Sequence, residues 1–232
     1  MDGNGRWAED HGLVRIDGHR RGSDSVREIV TAAREAGIEA LTLYAFSAQN
    51  WARPSDEVAG LMMLLYDYLE RDKPTLLENQ IRLNAIGDLE RLPELVRGRL
   101  ESVRAETAAG NAMVLTLALS YGGQEEIVAA AKRIARQAAS GQLDPDAIDA
   151  ALFDRALDTH GLPPVDLMIR TSGELRISNF LLWQLAYAEL LFLDVQWPDF
   201  GRRDLYAAIE VYRGRQRRFG KTAAQQASQP AT

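Results

Sequence analysis

The 232-residue sequence contains no cysteine, which excludes disulfide bonds, thiolate metal sites and cysteine nucleophiles. It also lacks an uninterrupted apolar run long enough to span a membrane, and its first residues do not have the pattern of a signal peptide. A basic excess is absent too: the formal net charge is −6, which argues against a general nucleic-acid-binding protein. We therefore expect a cytoplasmic protein in which any site for an anionic substrate is a local cluster of arginines.

Helix and strand patterns alternate along the chain. The spacing of apolar residues predicts strands at 40–46, 81–86, 113–119, 165–169 and 190–195, and helices at 23–36, 55–73, 93–107, 125–140 and 203–217. Such alternation predicts a single α/β domain with a parallel sheet flanked by helices. We place this domain at residues 1–220 and predict a disordered tail, rich in Ala, Gln and Ser, at residues 221–232.

The first polar motif is Asp2-Gly3-Asn4-Gly5-Arg6-Trp7. Its two glycines let backbone amides approach an anion, Arg6 suits a phosphate, and Asp2 could hold a metal bound to that phosphate. An Asn-Gly turn near the terminus is the simpler reading. The spacing Gly3-x-Gly5-x-x-Ala8, with Asp24 further on, also matches the dinucleotide fingerprint, although no strand precedes it.

Two further motifs carry arginine. Arg15, Gly18, His19 and Gly22 stand just before the first predicted helix, where arginine, histidine and the helix start would add positive potential; a surface loop histidine is the alternative. The segment 47–53 follows a predicted buried strand and contains a hydroxyl, two amides, a tryptophan and an arginine. We interpret it either as a substrate-positioning loop or as a segment in which Ser55 caps the following helix and Trp51 packs at the edge of the core.

The most specific motif is the segment 170–180, in which Arg170, Arg176 and Ser178 follow a buried strand. Two arginines six residues apart can close on one diphosphate from two sides, whereas salt bridges with Glu174 would be the alternative. Glu189 stands inside an apolar run and must be exposed, paired or bound to metal. The helix at 55–73 is apolar nearly all round, so it is either buried in the core or lines an apolar cavity.

Two motifs of other phosphate-handling enzymes are incomplete or missing. Gly220-Lys221-Thr222 is similar to the end of a P-loop, but the first glycine of that motif would stand at position 215, which is Arg215. The chain has no D-D-x-x-D run of the type with which trans-prenyltransferases bind magnesium.

Together the motifs resemble those of the cis-prenyltransferases, in particular the bacterial undecaprenyl diphosphate synthases. The resemblance spans nearly the whole chain and is carried by the segments 2–8, 41–47, 121–123, 170–180 and 217–220. It implies a six-stranded parallel sheet, a hydrophobic tunnel between the sheet and two helices, and a homodimer. The implied reaction condenses isopentenyl diphosphate with an allylic diphosphate, such as farnesyl diphosphate, with Mg²⁺ as cofactor. The implied products are long polyprenyl diphosphates such as the cell-wall carrier precursor undecaprenyl diphosphate.

The resemblance also implies roles for individual residues. Asp2 and Asn50 would be catalytic, and Asp2 and Glu189 would bind Mg²⁺, with Glu189 from the same chain or from the other subunit of the dimer. Isopentenyl diphosphate would be held by Arg170, Arg176, Ile177 and Ser178. The allylic diphosphate and the flanks of both substrates would be held by Gly3, Asn4, Gly5, Arg6, Trp7, Arg15, His19, Ser47, Ala48, Gln49, Trp51 and Arg53.

The sequence departs from the family pattern in three places. Gln49 stands where the family usually has Glu, and Ser120 and Gln124 replace the more usual Asn and Arg. The family has an apolar strand that ends at the aspartate, whereas only Met1 precedes Asp2 here. We therefore expect an internal start or a truncated chain, with one strand missing and weak or absent activity. A non-catalytic partner subunit and a dinucleotide oxidoreductase are the competing hypotheses.

Overall fold

In the computed structural model, which describes residues 1–215, helices and parallel strands alternate as the sequence predicts. The helices are α1 Asn4–Asp10, α2 Arg15–Glu35, α3 Ser55–Glu78, α4 Glu94–Glu106, α5 Gly123–Ala139, α6 Ala150–Arg155 and α7 Arg202–Arg213. The strands are β1 Ala40–Ser47, β2 Ile81–Ile86, β3 Met113–Tyr121, β4 Leu167–Arg170 and β5 Glu189–Phe192. No helix in this part of the chain is long and apolar enough to cross a membrane.

The strands form two parallel sheets rather than one sheet of six strands. The first has the order β1-β3-β2, with Leu43 opposite Leu117 and Leu83 opposite Leu115, and the second pairs β4 with β5. Among residues 1–215, β1 has a strand partner on one edge only, and so does β4. The described residues therefore do not form the continuous six-stranded sheet that the resemblance implies.

Side chains of the strands pack into two core clusters. The larger one lies between the three-stranded sheet and the helices, and its fully buried members include Leu115, Leu69 and Ile29. The smaller one joins β1 and β3 to β4 and β5 through Tyr44, Tyr121, Met168 and Phe192. The Tyr44 hydroxyl donates to the Tyr121 carbonyl oxygen at 3.0 Å. These contacts hold the two sheets together although no ladder joins them.

Helix α2 begins eight residues earlier than the predicted start at Ser23, so Arg15, Gly18 and His19 lie inside a helix. Gly18 and Gly22 do not break it. A Cβ on Gly18 would lie 1.9 Å from the carbonyl oxygen of Asn4, and one on Gly22 would lie 2.1 Å from Asn4 Oδ1. The two glycines are thus the place where α1 crosses α2 at close range.

Helix α3 continues through Pro74, where the sequence predicted its end, and stops at Glu78. Beyond the proline, Asn79 Nδ2 donates to the Thr75 carbonyl oxygen at 2.8 Å and covers one of the terminal carbonyls. Helix α7 ends at Arg213, before the predicted end near 217. The motif 217–220 and the predicted tail at 221–232 lie outside the described residues.

Candidate active site

The first and fourth motifs meet in space, although they are almost the length of the chain apart. Asp2 Oδ2 accepts a hydrogen bond from Arg170 Nη2 at 2.9 Å, and the backbone N–H of Asp2 donates to Thr171 Oγ1 at 2.9 Å. Arg170 Nη1 donates to Ser178 Oγ at 2.8 Å and also contacts the carbonyl oxygen of Arg176. Arg170 lies at the carboxyl end of β4, where ligands bind in parallel sheets.

Glu174 connects the two remaining arginines of these motifs. It pairs with Arg6 at 3.2 Å and with the guanidinium of Arg176. The salt bridges suggested as the alternative reading of the segment are therefore present. Because Glu174 is an anion between two arginines, a diphosphate that binds there would compete with its carboxylate.

A second basic cluster surrounds Glu57, at the start of α3. Arg53 Nη1 is 2.9 Å from Glu57 Oε1, and Arg15 Nε is 3.8 Å from the same oxygen. Arg15 also packs over Gly5, where a Cβ would lie 2.6 Å from the guanidinium carbon. The structure thus brings Gly5, Arg15 and Arg53 together around Glu57.

His19 belongs to this second cluster as a neutral group. Burial, together with the charge of Arg53, lowers its pKa to about 4. In the protein without a ligand, the positive potential of this cluster therefore comes from the arginines, and the role of His19 in binding a substrate stays a prediction. Its Nε2 is buried without a hydrogen-bond partner in the described structure, as is Asn4 Oδ1, and both residues line the cavity described below. Buried polar atoms without partners indicate that a ligand or water completes the site.

The segment after β1 is fixed by its own side chains. Ser47 N donates to Asn50 Oδ1 at 3.0 Å within the 3₁₀ turn Ala48–Ala52. Trp51 Nε1 donates to Ser120 Oγ at 2.9 Å, and its ring packs edge-on against Phe46. Ser120, noted in the sequence only as a departure, therefore anchors Trp51. Trp51 packs at the edge of the core as one interpretation expected, but Ser55 does not cap α3, since it is the first residue of the helix and Pro54 stands at the N-cap. The role of the segment in positioning a substrate stays a prediction.

An apolar cavity of about 170 Å³ lies between the three-stranded sheet and helices α2 and α3. Strand residues Leu43, Phe46 and Leu117 form one wall, and the second wall is formed by α2 and α3 through Val26, Leu61, Met62, Leu64, Leu65 and Tyr68. His19, Asn50 and Arg53 line the same cavity. Helix α3 therefore both lines an apolar cavity and packs into the core, where its residues Leu69 and Leu76 are buried.

Three predicted residues point elsewhere. Trp7 donates through Nε1 to Asp199 Oδ1 at 3.0 Å and stacks on His11, and it is not among the cavity-lining residues. Ile177 packs against the smaller core cluster.

Glu189 begins β5 opposite Leu167, at the other end of β4 from Arg170, and pairs with Arg215 at 2.8 Å. A four-residue strand spans roughly 10 Å, so Asp2 and Glu189 of one chain do not form one metal site.

The surroundings of Asp2 suit a magnesium ligand. Burial alone would raise the pKa of Asp2, but hydrogen bonds from Arg170 and from the Gly3 backbone outweigh it and hold the pKa below its ordinary value. The carboxylate is thus ionised and 39% exposed. No three His, Cys, Asp or Glu side chains converge within residues 1–215. Mg²⁺ commonly uses one or two carboxylates and completes its shell with substrate phosphates and water, so this donor set fits.

Sequence reasoning missed residues that organise the site without touching it. Glu57 follows Arg53 by four residues, a spacing that could have indicated the ion pair. Asn179, next to Ser178, binds the start of α5 through its side chain, and no sequence spacing indicates a contact over 55 positions.

Sequence comparison agrees with the geometry. A model of the prenyltransferase family described as "Putative undecaprenyl diphosphate synthase" matches residues 1–220. The isoprenyl transferase of Zymomonas mobilis is 53% identical over 220 residues, which cover 95% of this chain and 89% of the relative. The isoprenyl transferase of Chlorobaculum tepidum is 50% identical over 225 residues, covering 97% and 85%.

Solved structures show the same relationship. The lavandulyl diphosphate synthase of Lavandula x intermedia, in complex with dimethylallyl diphosphate, has a TM-score of 0.93 and 40% identity and covers 95% of both chains. A probable undecaprenyl diphosphate synthase of Campylobacter jejuni has a TM-score of 0.76 and 35% identity and covers 87% of this chain and 92% of its own. The dinucleotide-binding hypothesis fails, because these relatives are prenyltransferases and Gly5 lies within α1. The chain therefore belongs to the undecaprenyl diphosphate synthase family and is a prenyltransferase.

Proposed function

We propose that this prenyltransferase condenses isopentenyl diphosphate onto an allylic diphosphate, with farnesyl diphosphate as primer, and forms each new double bond in the cis configuration. The observation that carries the proposal is the cavity, which has apolar walls and also includes the polar residues His19, Asn50 and Arg53. A hydrocarbon tail needs the apolar walls, and the diphosphate head attached to it needs polar groups beside them. Repeated condensation yields a long polyprenyl diphosphate such as undecaprenyl diphosphate, a precursor of the lipid carrier for cell-wall synthesis.

The two basic clusters suit two diphosphates. Arg15, His19 and Arg53 surround the cavity side and suit the allylic substrate, whose tail would enter the cavity. Arg170, Arg176 and Ser178 lie together at the end of β4 and suit isopentenyl diphosphate. The arginines already have carboxylate partners: Arg15 pairs with Glu9 and Glu57, Arg53 with Glu57, Arg170 with Asp2, and Arg176 with Glu174. Incoming phosphate oxygens would compete with these carboxylates for the guanidinium groups.

The reaction requires loss of the allylic diphosphate, attack by the isopentenyl double bond and loss of a proton. The arginines stabilise the charge that develops on the leaving group. Asp2 would hold Mg²⁺, which when bound supplies further neutralisation of that diphosphate. Asn50 is placed beside the cavity by its hydrogen bond with Ser47 N, and we assign it to assist proton removal.

We further propose that the enzyme acts as a homodimer in which Glu189 serves the site of the other subunit. The separation of Asp2 and Glu189 within one chain supports this, as do the exposed Trp183, Tyr187 and Leu190 around the edge strand β5. Mixing the inactive variants Asp2→Asn and Glu189→Gln would then restore about a quarter of wild-type activity, because half of the dimers gain one intact site. Failure to recover activity would place Glu189 outside the partner's site.

The function is tested by incubating the purified chain with labelled isopentenyl diphosphate and farnesyl diphosphate, with Mg²⁺ or with EDTA, and sizing the product. We expect magnesium-dependent incorporation that Asp2→Asn abolishes. A folded chain that incorporates no label alone, but does so when mixed with a second family member, would identify a non-catalytic partner subunit. A wild-type chain without turnover in either mixture would overturn the catalytic proposal.

A short or irregular product is the second candidate, and the observation that favours it is the high TM-score to lavandulyl diphosphate synthase. The same sizing experiment separates the two, because a single condensation or a branched product would appear in place of a long-chain ladder. A cytoplasmic location stays a prediction from the sequence.

A further inference from the structure

The start of α5 is held by a residue from another part of the chain. Its N-cap residue, Gly122, has no side chain, so the first amide groups of the helix need acceptors from elsewhere. Asn179 supplies them: its carbonyl oxygen accepts from Gly123 N at 2.7 Å, and its Oδ1 accepts from Gln124 N at 2.8 Å. Asn179 thereby joins the segment 170–179 to the beginning of α5.

Glu125 extends this junction to the segment 47–53. Its Oε2 accepts a hydrogen bond from Asn179 Nδ2 at 2.8 Å, and its Oε1 accepts one from Gln49 Nε2 at 3.3 Å. Asn179 directly follows Ser178, and Gln49 directly precedes Asn50. One carboxylate in the first turn of α5 therefore contacts both segments that carry proposed substrate-binding residues.

The backbone around this junction is closely packed and can move little. A Cβ on Gly122 would lie 2.1 Å from Glu125 Oε2 and 2.6 Å from Asn179 Nδ2. Ser178 and Asn179 have φ angles of 47° and 62°, a left-handed backbone that residues with side chains adopt only when their surroundings hold them there. The hydrogen bonds of Asn179 with α5 hold this backbone together with the hydrogen bond from Arg170 Nη1 to Ser178 Oγ.

We propose that Glu125 is a positioning residue that sets the distance between the Asn50 segment and the Ser178 segment, and so between the two bound substrates. The proposal rests on the proposed function. Glu125 and Gln49 are exposed, so their hydrogen bond contributes little to the stability of the fold. Its effect is on geometry, and small misplacements of two reacting groups slow a condensation strongly.

The first test compares Glu125→Ala with the control Gln124→Ala in steady-state kinetics. For Glu125→Ala we expect kcat to fall about tenfold and KM for isopentenyl diphosphate to rise several-fold, with KM for farnesyl diphosphate unchanged. The melting temperature should stay within about 2 °C of wild type, because the side chain is exposed. Gln124→Ala should match wild type, since only the backbone N–H of Gln124 contacts Asn179.

The second test exchanges donor and acceptor. Asn179→Asp alone replaces the hydrogen-bond donor to Glu125 with a second carboxylate. The two carboxylates repel each other, so this variant should lower kcat more than Glu125→Ala does. The double variant Glu125→Gln with Asn179→Asp restores a donor opposite an acceptor and should recover most of the activity. The inference is overturned if Glu125→Ala behaves like Gln124→Ala, or if the double variant is no better than Asn179→Asp. A wild-type chain without turnover would instead reject the proposed function, and the inference with it.

Discussion

At the scale of single residues, the site is controlled by which charges are paired. Asp2 is kept ionised by Arg170, whereas His19 is kept neutral by burial and by Arg53. Glu57 and Glu174 each balance two arginines. We therefore expect a bound diphosphate to compete with these glutamates for arginines that are already paired, rather than to enter a pocket of unpaired charge.

His19 gives a pH-dependent contribution to stability. Its pKa of about 4 in the fold lies below the ordinary value of 6.5, so between these values the unfolded chain binds more protons than the folded one. The free energy of unfolding should therefore rise with pH across this window, by as much as about 3 kcal/mol from this group.

Urea unfolding of wild type and His19→Asn at several pH values between 4 and 7 measures this contribution. The difference between the two proteins isolates His19, because Arg15, Arg53, Glu57 and all other titrating groups are common to both. Parallel stability curves for the two proteins would contradict the assignment.

At the scale of elements, the close crossing of α1 and α2 positions Asp2 and Arg6. A methyl group on Gly18 would lie 1.9 Å from the backbone oxygen of Asn4, and this oxygen can move only if α1 moves. We expect Gly18→Ala to lower the free energy of unfolding by about 1–3 kcal/mol and to lower kcat with it.

Gly98→Ala is the matched control for this prediction. Gly98 also lies within a helix, but nothing lies within 4 Å of the position of its Cβ. This substitution should stabilise the chain by roughly 0.5–1 kcal/mol through helix propensity and leave kcat unchanged. Chemical denaturation of both variants tests the pair, and equal effects of the two substitutions would show that α1 does not need this crossing.

The elements themselves were largely predictable, and their exceptions have physical reasons. The period-two and apolar patterns placed β2 at its observed bounds and β1 within one residue. The start of α2 was missed because Gly18 and Gly22 resemble turn residues, whereas they serve helix packing. Pro74 was read as a helix end, but α3 continues for four residues beyond it. Such outcomes depend on neighbours in space, which a local pattern does not contain.

The candidate site was predictable in its parts but not in its connections. The sequence placed the segments 47–53 and 170–180 directly after strands, and β1 and β4 do end at Ser47 and Arg170. The contact of Asp2 with Arg170 did not follow from this placement, because no strand precedes Asp2. Other contacts join side chains of different elements, which the sequence does not show to be neighbours. They include the ion pairs of the arginines, the hydrogen bond from Trp51 to Ser120 and the one from Gln49 to Glu125. Only the fold determines these contacts.

At the scale of the whole molecule, we propose that two basic clusters on different elements each hold one diphosphate. Arg15 on α2 and Arg53, just before α3, both pair with Glu57 in the first turn of α3. Arg170 and Arg176 follow β4 and meet Asp2 and Glu174. The cluster with Arg15 and Arg53 adjoins the apolar cavity, so it would hold the allylic substrate whose growing chain enters the cavity.

The most direct test is to measure KM for both substrates in Arg15→Gln and Arg176→Gln side by side. We expect Arg15→Gln to raise KM for farnesyl diphosphate by about tenfold or more and to leave KM for isopentenyl diphosphate within about threefold of wild type. Arg176→Gln should give the reverse pattern. If both substitutions raise KM for the same substrate, or if each raises both equally, the division of the site into two clusters is contradicted.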